Sequence, residues 1–307
     1  MSKTTKFYSK IALAVKITTA FVFAWILIKQ RFVIQEINFD SITEFKVTLF
    51  LFVLLLTPLN WYFEYLKWKY TLKTLDFYSK KESAESFLSG IFSGFITPNF
   101  IGNFIGRMLY YPFKLRPKIV LFTLLASYSQ FFTTITIGVI ALLFLPSDTS
   151  SFTPVYTWLF LTLVIIGWLV YFIFEKLNLQ KIKALSFFRH FDNHPANARL
   201  KWQFILFNVV RYAIFSLQYL LMLNVFQIEF NSTLYNSILL IYLWSTLIPN
   251  FIWGKLFLRE SVALVILLPI IDNASIILIA TFSLSIINQI IPAIIGIPYL
   301  MKKKKYE

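Results

Sequence analysis

The chain has 307 residues, of which 58% are hydrophobic, 19% aromatic and only 14% charged, and its mean hydropathy is +0.70. A water-soluble domain of this size does not need so much apolar surface, so the composition excludes a soluble enzyme or nucleic-acid-binding domain and points to a multi-pass membrane protein. The 29 basic residues against 14 acidic ones then belong to loops facing anionic lipid, and zero cysteines exclude disulfides, iron–sulfur clusters and thiolate metal sites.

Inside a bilayer every backbone polar group must find an internal partner, so helices are expected throughout. The first apolar segment, 11–28, follows a basic tail of Lys3, Lys6 and Lys10. It has the charge order of a signal peptide, but Ala24 leads straight into Trp25, Ile26 and Leu27, with no small-residue cleavage site. It is therefore expected to be a retained first span. Further apolar stretches predict spans over about 47–70, 118–145, 154–174, 203–226 and 273–300.

Charge sorts the loops between them. Segments 67–81 and 175–202 and the lysine run 302–305 are strongly basic and are expected on the cytoplasmic side. Segments 145–153 and 227–232 each hold a single acidic residue, and 29–46 is balanced; all three are expected outside. An ordinary span over 84–106 would put the basic stretch 107–118, and later 175–202, on the wrong face. The conflict disappears if 83–115 enters from the cytoplasm, breaks at Pro98 and returns, because proline cannot donate to the helix ladder and disfavours helical geometry at Thr97.

Pro98-Asn99-Phe100-Ile101 recurs unchanged as Pro249-Asn250-Phe251-Ile252. The second copy predicts another hairpin, at about 233–270, entering from the outside. The expected fold is thus all-α: about six spans plus two re-entrant hairpins, arranged as an inverted repeat of 46–145 and 203–300. The whole chain, 1–307, forms one membrane domain, with 154–202 as connecting span and basic loop and 301–307 as a basic tail. Both termini are cytoplasmic, and the setting is a bacterial-type inner membrane.

Four of the eight glycines fall in the first hairpin, as Gly90-x3-Gly94 and Gly102-x3-Gly106, where small residues let helices approach closely. Arg107 and Arg259 trail the two breaks. A cation at membrane depth costs about 2.5–3.5 kcal/mol, so it either snorkels to an interface or is kept because it binds something. A guanidinium matches phosphate as a planar donor fork. Lys255 lies one turn before Arg259, and Glu260 beside it is a possible counter-charge. Asn99 and Asn250 either satisfy freed backbone at the breaks or face a cavity. Glu64 and Arg211, both in the cytoplasmic half, form either a buried ion pair or a working pair in which Glu64 meets an amine headgroup or counters Arg107. His190 and His194, four apart in a polar segment with Pro195 adjacent and no cysteine, are not expected to make a metal site. No catalytic set appears, and no cofactor is expected.

Asn60-Trp61-x2-Glu64 with Lys67-Trp68-Lys69, followed by Gly90-x3-Gly94-x3-Pro98-Asn99-x2-Gly102-x3-Gly106-Arg107, resembles the lysylphosphatidylglycerol synthase transmembrane-region family, also called flippase-like. Ile248-Pro249-x8-Leu258-Arg259-Glu260-Ser261 resembles its second-half signature. With the chain ending at Glu307, the resemblance implies a stand-alone transmembrane region without the soluble synthase domain. It further implies movement of an anionic, aminoacylated or lipid-linked headgroup between leaflets. Its partners would be the bilayer, a phospholipid or lipid-linked substrate and possibly a separate synthase or transferase, not nucleic acid. The alternative expectation is a non-transporting membrane partner of a separately encoded lipid or glycan enzyme.

Overall fold

A computed structural model of the protein describes residues 45–97, 101–144, 154–173, 198–248 and 254–302. Among the described residues every regular element is helical. In chain order these are α1 (Val47–Thr74), α2 (Lys80–Phe95), α3 (Gly102–Met108), α4 (Arg116–Leu143), α5 (Pro154–Ile173), α6 (Ala198–Val225), α7 (Ser232–Leu247), α8 (Gly254–Leu267), α9 (Ala274–Ser285) and α10 (Ile291–Met301). The expected span at 11–28, the break residues Pro98, Asn99, Pro249 and Asn250, and His190 and His194 lie outside the described residues.

Local sequence sets several of these boundaries. Asn231 caps α7 by accepting from the Leu234 N–H at 2.6 Å, and Asn273 caps α9 through the Ile276 N–H at 3.1 Å. Between α9 and α10 the helix widens into one π-turn, Ile286–Ile290, where the Ile291 N–H reaches back to the Ile286 carbonyl. The following Pro292 has no N–H to give, which loosens the ordinary ladder at that point.

Four helices are long and apolar enough to cross a membrane: α1, α4, α6 and the continuous 274–301, each of 28 residues. At 1.5 Å per residue each is about 42 Å long, against a hydrocarbon core of about 30 Å. They coincide with the spans expected at 47–70, 118–145, 203–226 and 273–300. A shorter apolar stretch, Trp158–Ile173, lies in α5. By contrast α2 and α7 have 16 residues each and α3 only seven. Large apolar side chains point outward along α1 (Leu51, Phe52, Leu55), α5 (Leu163, Ile166, Leu169) and α10 (Ile294, Ile295), as a lipid-facing surface requires.

Two of the long helices, α1 and α6, form an antiparallel pair held by polar rungs seven residues apart. The Lys46 N–H meets the Val225 carbonyl at 3.1 Å, the Gln218 amide donates to the Val53 carbonyl at 2.8 Å, and Arg211 Nε donates to Asn60 Oδ1 at 2.9 Å. Seven residues are two helical turns, so one face of each helix carries the whole ladder.

Two of the shorter helices dock on long helices distant in the sequence. α2 packs against α10, where a side chain at Gly296 would come within 2.4 Å of the Leu88 carbonyl. α7 packs against α4, where a side chain at Gly138 would come within 2.6 Å of Leu243 Cβ. The first helix of each short pair thus lies on a long helix distant in the sequence, α2 on α10 and α7 on α4.

Both ends of the α2–α3 hairpin sit at one end of the bundle. Glu85, near the start of α2, pairs with Lys302 at 2.7 Å, and the Tyr110 hydroxyl just past α3 donates to the Tyr299 carbonyl. α7 begins six residues after α6 ends, and α8 leads within six residues into α9, so the α7–α8 hairpin has both its ends at the opposite end of the bundle.

Candidate functional site

At the basic half of the α1–α6 ladder, three cations surround a single carboxylate. Glu64 on α1 accepts from Lys67 one turn later at 2.6 Å, from Arg211 on α6, and from Arg107 on α3 at 3.4 Å. All four are buried: Lys67 is 2% exposed, Arg107 3%, Arg211 8% and Glu64 9%. Three positive charges against one negative leave the cluster at +2 (3 − 1).

Uncharged acceptors take up part of the remaining donor capacity. Lys67 Nζ also donates to Asn208 Oδ1 at 2.7 Å and Gln130 Oε1 at 3.0 Å, so its three N–H groups meet three acceptors, as a charged ammonium requires. Arg211 donates to Asn60 Oδ1 and to Gln130 Oε1, the latter at 2.9 Å. Asn208 is in turn fixed by donating to Ser129 Oγ at 2.7 Å. Four helices, α1, α3, α4 and α6, therefore meet at this one point.

The first hairpin delivers Arg107. Ser93 Oγ donates to the Gly102 carbonyl at 2.6 Å, and Ser89 Oγ to the Gly106 carbonyl at 3.1 Å, tying α2 to α3 backbone to side chain. A side chain at Gly102 would fall 2.0 Å from the Ser93 carbonyl, and one at Gly106 would fall 2.1 Å from Ser93 Oγ. Gly90 leaves the gap through which Arg107 runs: a Cβ there would lie 2.7 Å from Arg107 Cγ. Gly94 lies buried on the same helix.

The guanidinium then sits 5.0 Å from the Trp68 ring and 5.3 Å from the Phe87 ring. Trp68 is itself locked by donating to the Ser83 carbonyl at 3.1 Å and to Ser86 Oγ at 3.0 Å. Arg107 makes one hydrogen bond, and its buried Nε has no acceptor; neither has the buried Nε1 of Trp61, whose ring lies 6.1 Å from Phe87.

The second hairpin is built differently. Arg259 is half-buried over the Tyr242 ring at 5.3 Å, with its Nε unpartnered, and shares no ion pair or hydrogen bond with the Glu64 cluster among the described residues. Glu260 is buried and accepts from Ser285 Oγ at 2.8 Å, leaving Oε2 without a partner. Arg259 and Glu260 do not pair with each other within 4 Å. Lys255 lies in the first turn of α8.

Glu64, Arg107 and Arg211 are thus brought together, whereas Arg259 belongs to a separate apolar core around Tyr242. Lys67 corrects the sequence reading. Expected in a cytoplasmic loop, it is inside α1 and among the most buried large side chains, because α1 runs on to Thr74. Among the described residues no three metal-ligating side chains stand together. A groove of about 270 Å³ opens at the basic end, lined by Tyr70, Lys73, Thr74, Arg199, Leu200 and Gln203.

The fold and the cluster together define an all-helical protein with long apolar helices, two interrupted short-helix pairs and an overcharged polar centre. Comparison with protein families, with characterised proteins and with solved structures finds no match.

Proposed function

We propose that this protein is a membrane lipid flippase or facilitator that moves an anionic, aminoacylated or lipid-linked headgroup between leaflets. The observation that carries the reading is the buried cluster with a formal charge of +2, to which the seven-residue α3 brings Arg107. A net charge inside an apolar bundle costs several kcal/mol per ion unless a counter-charge offsets it, and here the cations outnumber what one carboxylate can neutralise, which leaves room for an anionic ligand. The opposed hairpins, the docking of α2 on α10 and of α7 on α4, and the antiparallel α1–α6 pair support an inverted repeat of 46–145 and 203–300, an arrangement that lets one half rock against the other. The basic end carries Lys73, Lys80, Lys81, Lys114, Arg116, Lys118, Arg199 and Lys302, which favours a cytoplasmic face by the positive-inside rule. With the flippase-like resemblance read from the sequence, we place the protein in a bacterial-type inner membrane.

Reconstitution into vesicles with a fluorescent anionic lipid, followed by quenching from outside, tests the reading. Wild type should expose both leaflets' probe to the quencher, and Arg107→Ala should slow this at least tenfold. Arg259→Ala behaving as wild type would confine the working charge to the Glu64 cluster. No movement by wild type would leave the partner-protein reading, for which the groove between Lys73 and Arg199 offers a basic docking surface.

A further inference from the structure

We propose that the Glu64–Lys67–Arg107–Arg211 cluster recognises the phosphate of an anionic lipid headgroup that carries no amine, and rejects aminoacylated headgroups. The inference rests on the transport reading for why a headgroup reaches this point, but its chemistry comes from the balance of donors and acceptors alone. Every charged or amide acceptor that Lys67, Arg107 and Arg211 reach is engaged, and the one unpartnered amide oxygen nearby, Asn103 Oδ1, lies a turn back along α3 beside the Arg107 stem. Glu64 Oε2 takes Lys67 and Arg211, and Oε1 takes Arg107. Gln130 Oε1 takes two donors, and Asn60 Oδ1 and Asn208 Oδ1 take one each.

The donors are in surplus. Arg107 spends one N–H, through Nη2, at the longest of the three distances to Glu64, and its Nε is buried without an acceptor. The Nε1–H of Trp61, whose ring packs edge-on against Phe87, is unpartnered as well. An incoming group that offers oxygens and negative charge completes this set. A phosphodiester does so, with guanidinium donors matched to its oxygens. An ammonium does not. It would need a carboxylate, and the cluster's one carboxylate already holds three cations, so a lysyl or other aminoacyl headgroup would add positive charge to a buried excess. Glu64 is in consequence the brace that holds three cations together, and the partner for an amine considered from the sequence is not available.

Arg107 is the ligand most free to move, because its tie to Glu64 is the loosest and its helix is the shortest of the set. The seam between α1 and the first hairpin, where Trp61, Phe87 and Arg107 meet, is the place where the headgroup would enter.

The experiment is a competition on the wild-type protein, which needs no variant to fold. The full chain is extracted from vesicles containing equal phosphatidylglycerol, lysyl-phosphatidylglycerol and phosphatidylcholine, and retained lipid is read by native mass spectrometry. Phosphatidylglycerol should be retained at least tenfold over each of the others. Arg107→Gln should lower that retention about ten- to a hundredfold, the effect of losing one charge-assisted hydrogen bond. Inorganic phosphate should compete with the lipid, since the chemistry is shared. A protein that binds inorganic phosphate and retains no lipid overturns the headgroup assignment, and so does equal or greater retention of the lysyl or choline lipid.

The two readings fail separately. Selective retention without movement in vesicles sinks transport and leaves the substrate class standing. Movement of anionic and lysyl lipids at equal rates sinks the substrate class and leaves transport standing.

Discussion

At the residue scale, the two buried glutamates make opposite predictions although the sequence presents them alike. Glu64 serves three cations, whereas Glu260 serves one serine hydroxyl at 2.8 Å. Removing one member of a buried charge set leaves the others uncompensated, at about 3–5 kcal/mol. Glu64→Gln strands three cations and is expected to lower detergent-solubilised stability by that amount. Glu260→Gln keeps an acceptor oxygen for Ser285 and strands no partnered cation, so its loss should stay within about 1 kcal/mol. Thermal unfolding of both variants decides this, and equal losses would mean that Glu64 does not hold the three cations together. Glu64 and Arg211 were legible as a pair because each is a lone charge in an apolar run. Lys67 was not, because Lys69 and Lys73 follow it and the three together have the composition of a basic loop. The missed signal was spacing: Lys67 lies one turn after Glu64 and two turns after Asn60, on the face that meets α6.

At the element scale, the described helices stop at Phe95 and Leu247 and restart at Gly102 and Gly254, on either side of the two proline–asparagine positions, and the glycine steps mark where the first pair closes. What the sequence could not announce is where each hairpin docks. Gly138 and Gly296 are isolated glycines in long apolar runs, and their partners, Leu243 and the Leu88–Phe92 stretch, are more than a hundred residues away. A solitary glycine carries no address; only the assembled fold shows that Gly296 receives α2 and Gly138 receives α7.

Within the first hairpin the glycines have unequal roles, which gives a graded prediction. Gly106→Ala would set a methyl 2.1 Å from Ser93 Oγ and 2.6 Å from the Ser89 carbonyl, so α3 must move away from α2 and take Arg107 with it. Gly90→Ala meets the Arg107 Cγ and the Asn103 carbonyl at 2.7 and 2.8 Å and disturbs the same arginine from the other helix. Ser93→Ala removes only hydroxyl bonds, worth about 1 kcal/mol, and leaves the spacing intact. Retention of anionic lipid should therefore fall at least tenfold in both glycine variants and by less than threefold in Ser93→Ala, as read by the competition described above. The reverse order would mean that hydroxyl ties, not close approach, position Arg107.

At the scale of the whole molecule, the contacts divide the helix termini into two sets, and that division fixes a topology that can be read chemically. The Glu85–Lys302 pair, the Tyr110–Tyr299 bond and the groove shared by α1 and α6 place the end of α1, the start of α2, the start of α6 and the end of α10 on one side. The Lys46–Val225 bond and the Asn231 cap place the start of α1, the end of α6 and the start of α7 on the other. The first side is the basic one, and burying its lysines against an external face would forgo about 1 kcal/mol of attraction to anionic lipid for each of them. Single cysteines at Ser79 and Ser232, just outside α2 and within the first turn of α7, should then react with a membrane-impermeant maleimide from opposite sides, Ser79 from the cytoplasm and Ser232 from outside. The cysteine-free sequence makes this reading direct, since no native thiol competes. A second pair adds the orientation of each hairpin. Cysteines at Phe113, past α3, and at Ile270, past α8, are both exposed and should label from the same sides as Ser79 and Ser232 respectively. If Phe113 labels from the side opposite Ser79, the chain between them crosses the membrane fully, the short α3 no longer returns to its own face, and Arg107 cannot meet Glu64 from a re-entrant helix.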